Sequence, residues 1–185
     1  MMVGGLLGDF VKGPLPGALP LPLAQGVRLH RAIDLYTDQH PCFMASRARI
    51  SAARRRYGGI MVDLFYDHFL AKEWERYSPL PLLEYTQRFY ACLREFDAWL
   101  PAELQAILER MIRHNWLYSY QERAAISRAL DNIAQYRIRR SNPLLGAGEE
   151  LLAHYAEFQA DFLAFFPDVV HFAQHHSAAR DATHG

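Results

Sequence analysis

Helical periodicity runs through nearly all of the sequence after residue 25, and this pattern limits the fold more than any other feature. In the segment PLLEYTQRFYACLREFDAWL, apolar residues recur near helical spacing at Leu83, Phe89, Leu93, Phe96 and Leu100. Similar runs follow Pro101 and Gly148, each at a position typical of a helix start. No stretch alternates apolar and polar residues between turn signals as a strand would. We therefore predict an all-α fold of about six or seven helices.

The stretch GPLPGALPLPLAQG, residues 13–26, is rich in proline and glycine and predicts an irregular loop near the start. The chain has 185 residues, of which 51% are hydrophobic, so it can bury the core of one domain. We place that domain at 1–176 and expect a frayed polar tail at 177–185.

Several classes of protein are disfavoured by simple counts. No apolar run approaches the length of about 18 residues that a membrane helix needs. The first residues, MMVGGLLGDF, lack the basic start of a secretory signal. The two cysteines, Cys42 and Cys92, form neither a disulfide framework nor a zinc-binding spacing. We expect a cytoplasmic protein with no membrane partner.

Positive charge is concentrated in one window although the formal net charge is zero. Between Gln39 and Val62 there is no acidic residue, and the window contains the arginines Arg47, Arg49, Arg54, Arg55 and Arg56. This pattern predicts either a docking surface for an acidic partner or a solvated helix face. Nucleic acid is not the expected partner, because the whole chain is neutral and carries no recognition motif.

The segment IMVDLFYDHFL, residues 60–70, carries two carboxylates among apolar side chains. On a helix Asp67 lies about 40° from Asp63 and His68 about 140° from it, with apolar residues on both sides of the aspartates. We predict that this helix is buried nearly all round. Its carboxylates would then need a compensating arginine or metal ion.

A second stripe occurs in GVRLHRAIDLYTDQHP, residues 26–41, where His30, Asp34 and Asp38 repeat every four positions beside the apolar face of a helix. A further carboxylate, Asp9, lies between apolar residues and glycines in GGLLGDFVKG. Together these segments offer oxygen and imidazole donors without thiolate. Such a set suits Mn²⁺, Mg²⁺ or Fe²⁺ better than a structural zinc ion.

These segments also resemble a known family. GLLGDFVKG, LHRAIDLYTDQHP and DLFYDHFLAKEW, followed by HYAEFQADFLAFFP, are similar in order and separation to the acyl carrier protein phosphodiesterases, a branch of the HD-domain phosphohydrolases. The resemblance covers nearly the whole chain. It implies an HD-like helical domain, a divalent metal that is commonly Mn²⁺, and hydrolysis of holo acyl carrier protein to apo carrier and 4′-phosphopantetheine.

The resemblance also implies site residues. The candidate metal ligands are Asp9, His30, Asp34, Asp63 and Asp67. The candidate catalytic residues are His30, Asp67 and His68. The pair Asp67-His68 reverses the His-Asp order of ordinary HD proteins, so the division between ligand and acid–base roles stays open. The five arginines would dock the acidic carrier.

Family members usually begin with a histidine-bearing segment like MNxLAHLHLA before the equivalent of Asp9, and this sequence begins at MMVGG instead. From that difference we expect a ligand or packing contacts of the family to be missing. Two other functions stay open: an HD-like enzyme acting on a nucleotide or another small phosphoester, and a non-catalytic helical module that binds an acidic protein.

Overall fold

The computed structural model describes residues 2–8, 10–11, 13, 19–138 and 140–181, except for the side chains of residues 2 and 177–181. Asp9 and the predicted tail beyond residue 181 lie outside the described residues. The helices are α1 Met2–Gly8, α2 Leu21–Gln39, α3 Pro41–Arg49, α4 Gly58–Lys72, α5 Leu82–Glu95, α6 Ala102–Arg113, α7 Trp116–Ser119, α8 Arg123–Asn132, α9 Gly148–Ala153 and α10 Tyr155–Asp181. No strand occurs in the described ranges, so the all-α prediction is confirmed.

The predicted number of helices is wrong, because short helices add to the long ones. The run that follows Gly148 divides at His154, whose backbone angles (φ −130°, ψ 35°) leave the helical region between α9 and α10. The predicted loop at 13–26 is also too long, since α2 already begins at Leu21. Pro22 lies in the first turn of α2, where its missing N–H has no intrahelical partner to lose.

By its contacts the chain divides into two compact units. Unit 1 contains residues 1–38, 83–115 and 167–185, and unit 2 contains residues 39–82 and 116–166. The single domain at 1–176 stays a prediction. No helix in the described part of the chain is long and apolar enough to cross a membrane.

In unit 1, α1 packs against α2 backbone to backbone. A Cβ atom built on Gly4 would lie 2.7 Å from the Cα of Gly26, a separation that only the absence of a side chain permits. Leu7 of α1 and Val27 of α2, which are close in sequence to these glycines, are fully buried. The glycines of GGLLG therefore allow α1 to approach α2 closely.

In unit 2, α4 packs with α3 and α8 and supplies much of the core. Its Phe65 and Phe69 are fully buried and contact the rings of Phe158 and Phe162 in α10, with centroids 5.0 and 5.9 Å apart. The prediction that α4 is buried nearly all round, with its two aspartates, is wrong, however. Apart from Lys72 at its C-terminal end, three of its side chains, Ile60, Asp63 and Asp67, are exposed. Their spacing places them on one narrow stripe, so water can hydrate both carboxylates.

Candidate active site

The predicted stripe on α2 brings His30 and Asp34 into contact. His30 Nε2 lies 3.0 Å from Asp34 Oδ2, one helical turn away. The imidazole is 20% exposed and the carboxylate 59% exposed, so a ligand in solvent can reach both. A carboxylate has several lone pairs, so Asp34 can accept a further donor or cation beside the imidazole.

Described residues before and after Asp9 in the sequence contact α2 at His30 and Arg31. On one side, a Cβ atom at Gly8 would overlap the His30 ring, so the α1 backbone closely approaches the imidazole. On the other side, Arg31 Nη2 donates hydrogen bonds to the carbonyl oxygens of Val11 and Gly13, at 2.7 and 2.8 Å. Arg31 thus joins α2 to the segment that follows α1.

Sequence reasoning missed this role of Arg31. On a helical projection, Arg31 points away from the centre of the apolar face of α2, which suggests a solvated side chain. The available signal was its position directly after His30 and the proximity in sequence of a glycine- and proline-rich segment. Such a segment leaves carbonyl groups without helical partners, and these need donors.

Asp63 and Asp67 are exposed on α4 of unit 2, whereas His30 and Asp34 belong to unit 1. Their assignment to one shared metal site stays a prediction. Searched over the described residues alone, the structure contains no group of three or more His, Cys, Asp or Glu side chains arranged to hold a metal ion. The chemistry of His30 and Asp34 nevertheless fits a divalent cation, because they combine an imidazole with a hard oxygen donor.

His68, by contrast, is a buried residue with both ring nitrogens in use. Its Nδ1 lies 2.8 Å from the carbonyl oxygen of Tyr120, and its Nε2 lies 2.8 Å from the hydroxyl of Tyr155. Because a carbonyl can only accept, Nδ1 carries the proton and Nε2 accepts from Tyr155. Lys72 Nζ in turn donates to the Tyr155 hydroxyl at 2.8 Å.

Burial lowers the pKa of His68, and the nearby cations Lys72 and Arg123 add to this effect, while the bond to the Tyr120 carbonyl opposes it. The whole residue is 1% exposed. A neutral, fully bonded and buried imidazole has no free nitrogen to offer a phosphodiester. This geometry argues against the catalytic role predicted for His68 and indicates a structural one.

Two of the five candidate docking arginines form internal ion pairs. Arg49 is paired with Asp161, which also accepts a hydrogen bond from Ser46 Oγ at 2.7 Å. Arg54 pairs with Glu150 at 3.1 Å and donates to the carbonyl oxygen of Pro143 at 2.7 Å. Both arginines therefore hold the fold of unit 2 together.

Glu150 also anchors the turn between α3 and α4. It accepts from the backbone N–H of Ser51 at 2.9 Å as well as from Arg54. Burial alone would raise the pKa of this carboxyl, but the hydrogen bonds from Ser51 and Arg54 outweigh burial and lower the pKa. The turn is thus fixed on an ionised carboxylate.

The other three arginines, Arg47, Arg55 and Arg56, have exposed side chains, and we call them the docking patch. Arg55 reaches the carbonyl oxygens of Ala48 and Ile50 at 3.5 and 3.4 Å, which are weak contacts that leave its charge unneutralised. The anchored turn therefore presents positive charge at the surface.

Comparison with known proteins decides the family. The family model described as acyl carrier protein phosphodiesterase matches residues 1–169. The chain belongs to this family. Its members are hydrolases that act on a phosphodiester, and the resemblance carried by LHRAIDLYTDQHP and DLFYDHFLAKEW is thereby confirmed.

Relatives named acyl carrier protein phosphodiesterase match across most of the chain. One from Photorhabdus laumondii is 32% identical over 90% of this chain and 84% of its own length. One from Yersinia pestis is 31% identical over 94% of this chain and 90% of its own. One from Escherichia coli O157:H7 is 31% identical over 89% and 85%. No solved structure matches the chain significantly, so the HD-like label for this all-α fold stays a prediction.

Proposed function

We propose that this protein hydrolyses the phosphodiester that joins 4′-phosphopantetheine to a serine of holo acyl carrier protein. The products are apo carrier and free 4′-phosphopantetheine. The observation that carries this proposal is the family match over residues 1–169. The accessible His30–Asp34 pair supports it by supplying an acid–base group beside a hard oxygen donor.

In the proposed reaction the oxygen of a water molecule bonds to phosphorus and the water loses a proton to solvent, while the bond from phosphorus to the serine oxygen breaks and that oxygen gains a proton. His30 donates this proton, since its imidazole is accessible to a ligand whereas that of His68 is buried. Asp34 orients the His30 imidazole through Oδ2 and stabilises its protonated form.

As the family resemblance implies, Asp9, Asp34, Asp63 and Asp67 are the candidate ligands of a divalent cation, with Mn²⁺ the first choice and Mg²⁺ or Fe²⁺ as substitutes. When bound, the cation supplies Lewis-acid polarisation of the phosphoryl group. The docking patch of Arg47, Arg55 and Arg56 receives the carrier, because acyl carrier proteins are strongly acidic and opposite charges favour encounter.

The test is a hydrolysis assay on holo carrier with added Mn²⁺, and with EDTA in its place. Mass spectrometry should show the carrier losing about 340 Da when Mn²⁺ is present, as expected for metal-assisted release of phosphopantetheine. His30→Gln should slow the reaction by about 10²-fold or more, the usual contribution of a general acid. Asp34→Asn should lower the affinity for Mn²⁺ as well as the rate.

A matched control comes from an exposed His–carboxylate pair at the junction of α9 and α10, where His154 Nδ1 lies 3.9 Å from Glu157 Oε1. Glu157→Gln should leave the rate unchanged. Hydrolysis of nucleotides with the carrier left intact would assign the site to a different phosphoester. Carrier binding without hydrolysis, unaffected by Asp63→Ala and Asp67→Ala, would indicate a non-catalytic module instead.

A further inference from the structure

We propose that His171 and His175 form a second metal site, which binds a borderline transition-metal ion such as Zn²⁺. The two residues lie one turn apart on α10, and both side chains are exposed. Their ring centroids are 4.0 Å apart, with 38° between the ring planes. Two imidazoles this close to each other can bind one ion together.

The hydrogen bonding of His175 leaves the nitrogen that a metal needs. Its Nδ1 lies 2.8 Å from the backbone carbonyl oxygen of His171. Because the carbonyl can only accept, Nδ1 carries the hydrogen and Nε2 keeps its lone pair. A ligating histidine commonly donates its other N–H to a carbonyl in this manner, which fixes the tautomer and the ring orientation.

The packing of unit 1 holds this turn of α10 in place. Phe172, between the two histidines, stacks on Tyr36 of α2 with centroids 4.4 Å apart. The ring of His176, one helical turn later, also stacks on Phe172, with centroids 5.5 Å apart. Because the helix turn is already ordered by these contacts, little conformational freedom remains to be lost when an ion binds.

The donor set decides which ions are expected. Two neutral imidazoles favour Zn²⁺, Ni²⁺ or Cu²⁺, whereas the carboxylates proposed for hydrolysis favour Mn²⁺ or Mg²⁺. Two protein ligands leave the remaining coordination positions to water. His171 and His175 also lie beyond residue 169, where the family match ends, so the family does not imply this site.

Isothermal titration of the full chain with Zn²⁺ tests the inference. His171→Ala and His175→Ala should each weaken binding at this site by about tenfold or more, as loss of one of two ligands requires. His176→Ala is the matched control and should bind as wild type, because its ring stacks on Phe172 rather than on the histidine pair. Alanine favours helix, so α10 should persist in all three variants.

Asp34→Asn separates this site from the proposed hydrolytic one. It should leave Zn²⁺ binding at the histidine pair intact, and excess Mn²⁺ should not displace the Zn²⁺. Unchanged Zn²⁺ affinity in both His171→Ala and His175→Ala would overturn the inference. Loss of all Zn²⁺ binding in Asp34→Asn would also overturn it, since Zn²⁺ would then occupy the hydrolytic site alone.

Discussion

At the residue scale, the buried state of His68 makes the stability of the protein depend on pH. The folded structure lowers the pKa of His68, chiefly by burial, from its ordinary value of 6.5. The unfolded chain therefore binds a proton more readily than the folded chain does. The contribution of His68 to stability is complete above its unfolded pKa of 6.5. It is lost as the pH falls from there through the lower pKa of the folded state.

We expect the free energy of unfolding to decrease between about pH 7 and pH 5, and His68→Gln to remove much of this decrease. Chemical denaturation at a series of pH values measures it. Tyr155→Phe should destabilise the protein by about 1–3 kcal/mol, because it leaves His68 Nε2 buried without a donor. His154→Gln is the control for the pH dependence, since His154 is exposed. An equal pH dependence in wild type and His68→Gln would contradict the expectation.

The partners of His68 also show where sequence reasoning ends. The helical projection of α4 correctly separates His68 from Asp63 and Asp67 by a large angle. It cannot show that Tyr120 and Tyr155, which are 52 and 87 residues away, complete the hydrogen bonding of the ring. Contacts over such separations depend on the tertiary fold, which periodicity does not encode.

At the scale of elements, the close approach of α1 to α2 requires glycine at particular positions. A Cβ atom at Gly8 would overlap the His30 ring, whereas a Cβ atom at Gly5 would meet nothing within 4 Å. We expect Gly8→Ala to displace His30 and to lower the rate of carrier hydrolysis by about 10²-fold, the typical cost of a misplaced catalytic group. Steady-state assays on holo carrier measure this effect.

Gly5→Ala is the matched control in the same helix. It should keep full activity and stabilise the helix by about 0.5–1 kcal/mol, because alanine loses less backbone freedom than glycine. Equal activity of Gly8→Ala and Gly5→Ala would mean that the position of the His30 ring does not matter for the reaction.

Some helices were easier to predict from the sequence than others. Long amphipathic segments such as those of α5 and α6 follow directly from apolar spacing. The exposure of Asp63 and Asp67 could not be predicted from this spacing, because apolar residues flank the one-residue-wide stripe on both sides. Short helices such as α7 and the break at His154 are also poorly encoded, since four to six residues contain too few turns to show a period.

At the scale of the whole molecule, charge balance and charge placement have separate consequences. The formal net charge is zero, so no long-range attraction of an acidic protein follows from the total charge. The sequence between Gln39 and Val62 has a local excess of arginine, and three of these five arginines have exposed side chains. Which arginines face solvent could not be predicted, because Asp161 and Glu150, the partners of Arg49 and Arg54, are 112 and 96 residues away in the sequence.

A docking patch on a neutral protein predicts a specific dependence on salt. Screening shortens the reach of surface charges to about 10 Å at 0.1 M ionic strength, so kcat/KM for holo carrier should fall as salt is added while kcat stays nearly constant. The double variant Arg47→Gln/Arg56→Gln should raise KM and flatten this dependence, because it removes two of the three exposed charges.

Arg54→Gln provides the matched control for this experiment. It removes one positive charge from the turn that also carries Arg56, but it breaks the ion pair with Glu150, so it should lower the melting temperature and leave the salt dependence of kcat/KM unchanged. The double variant should show a weaker salt dependence. If Arg54→Gln flattens the salt dependence as much as the double variant does, total charge rather than the docking patch attracts the carrier. The arginines at 47, 55 and 56 would then have no special part in docking.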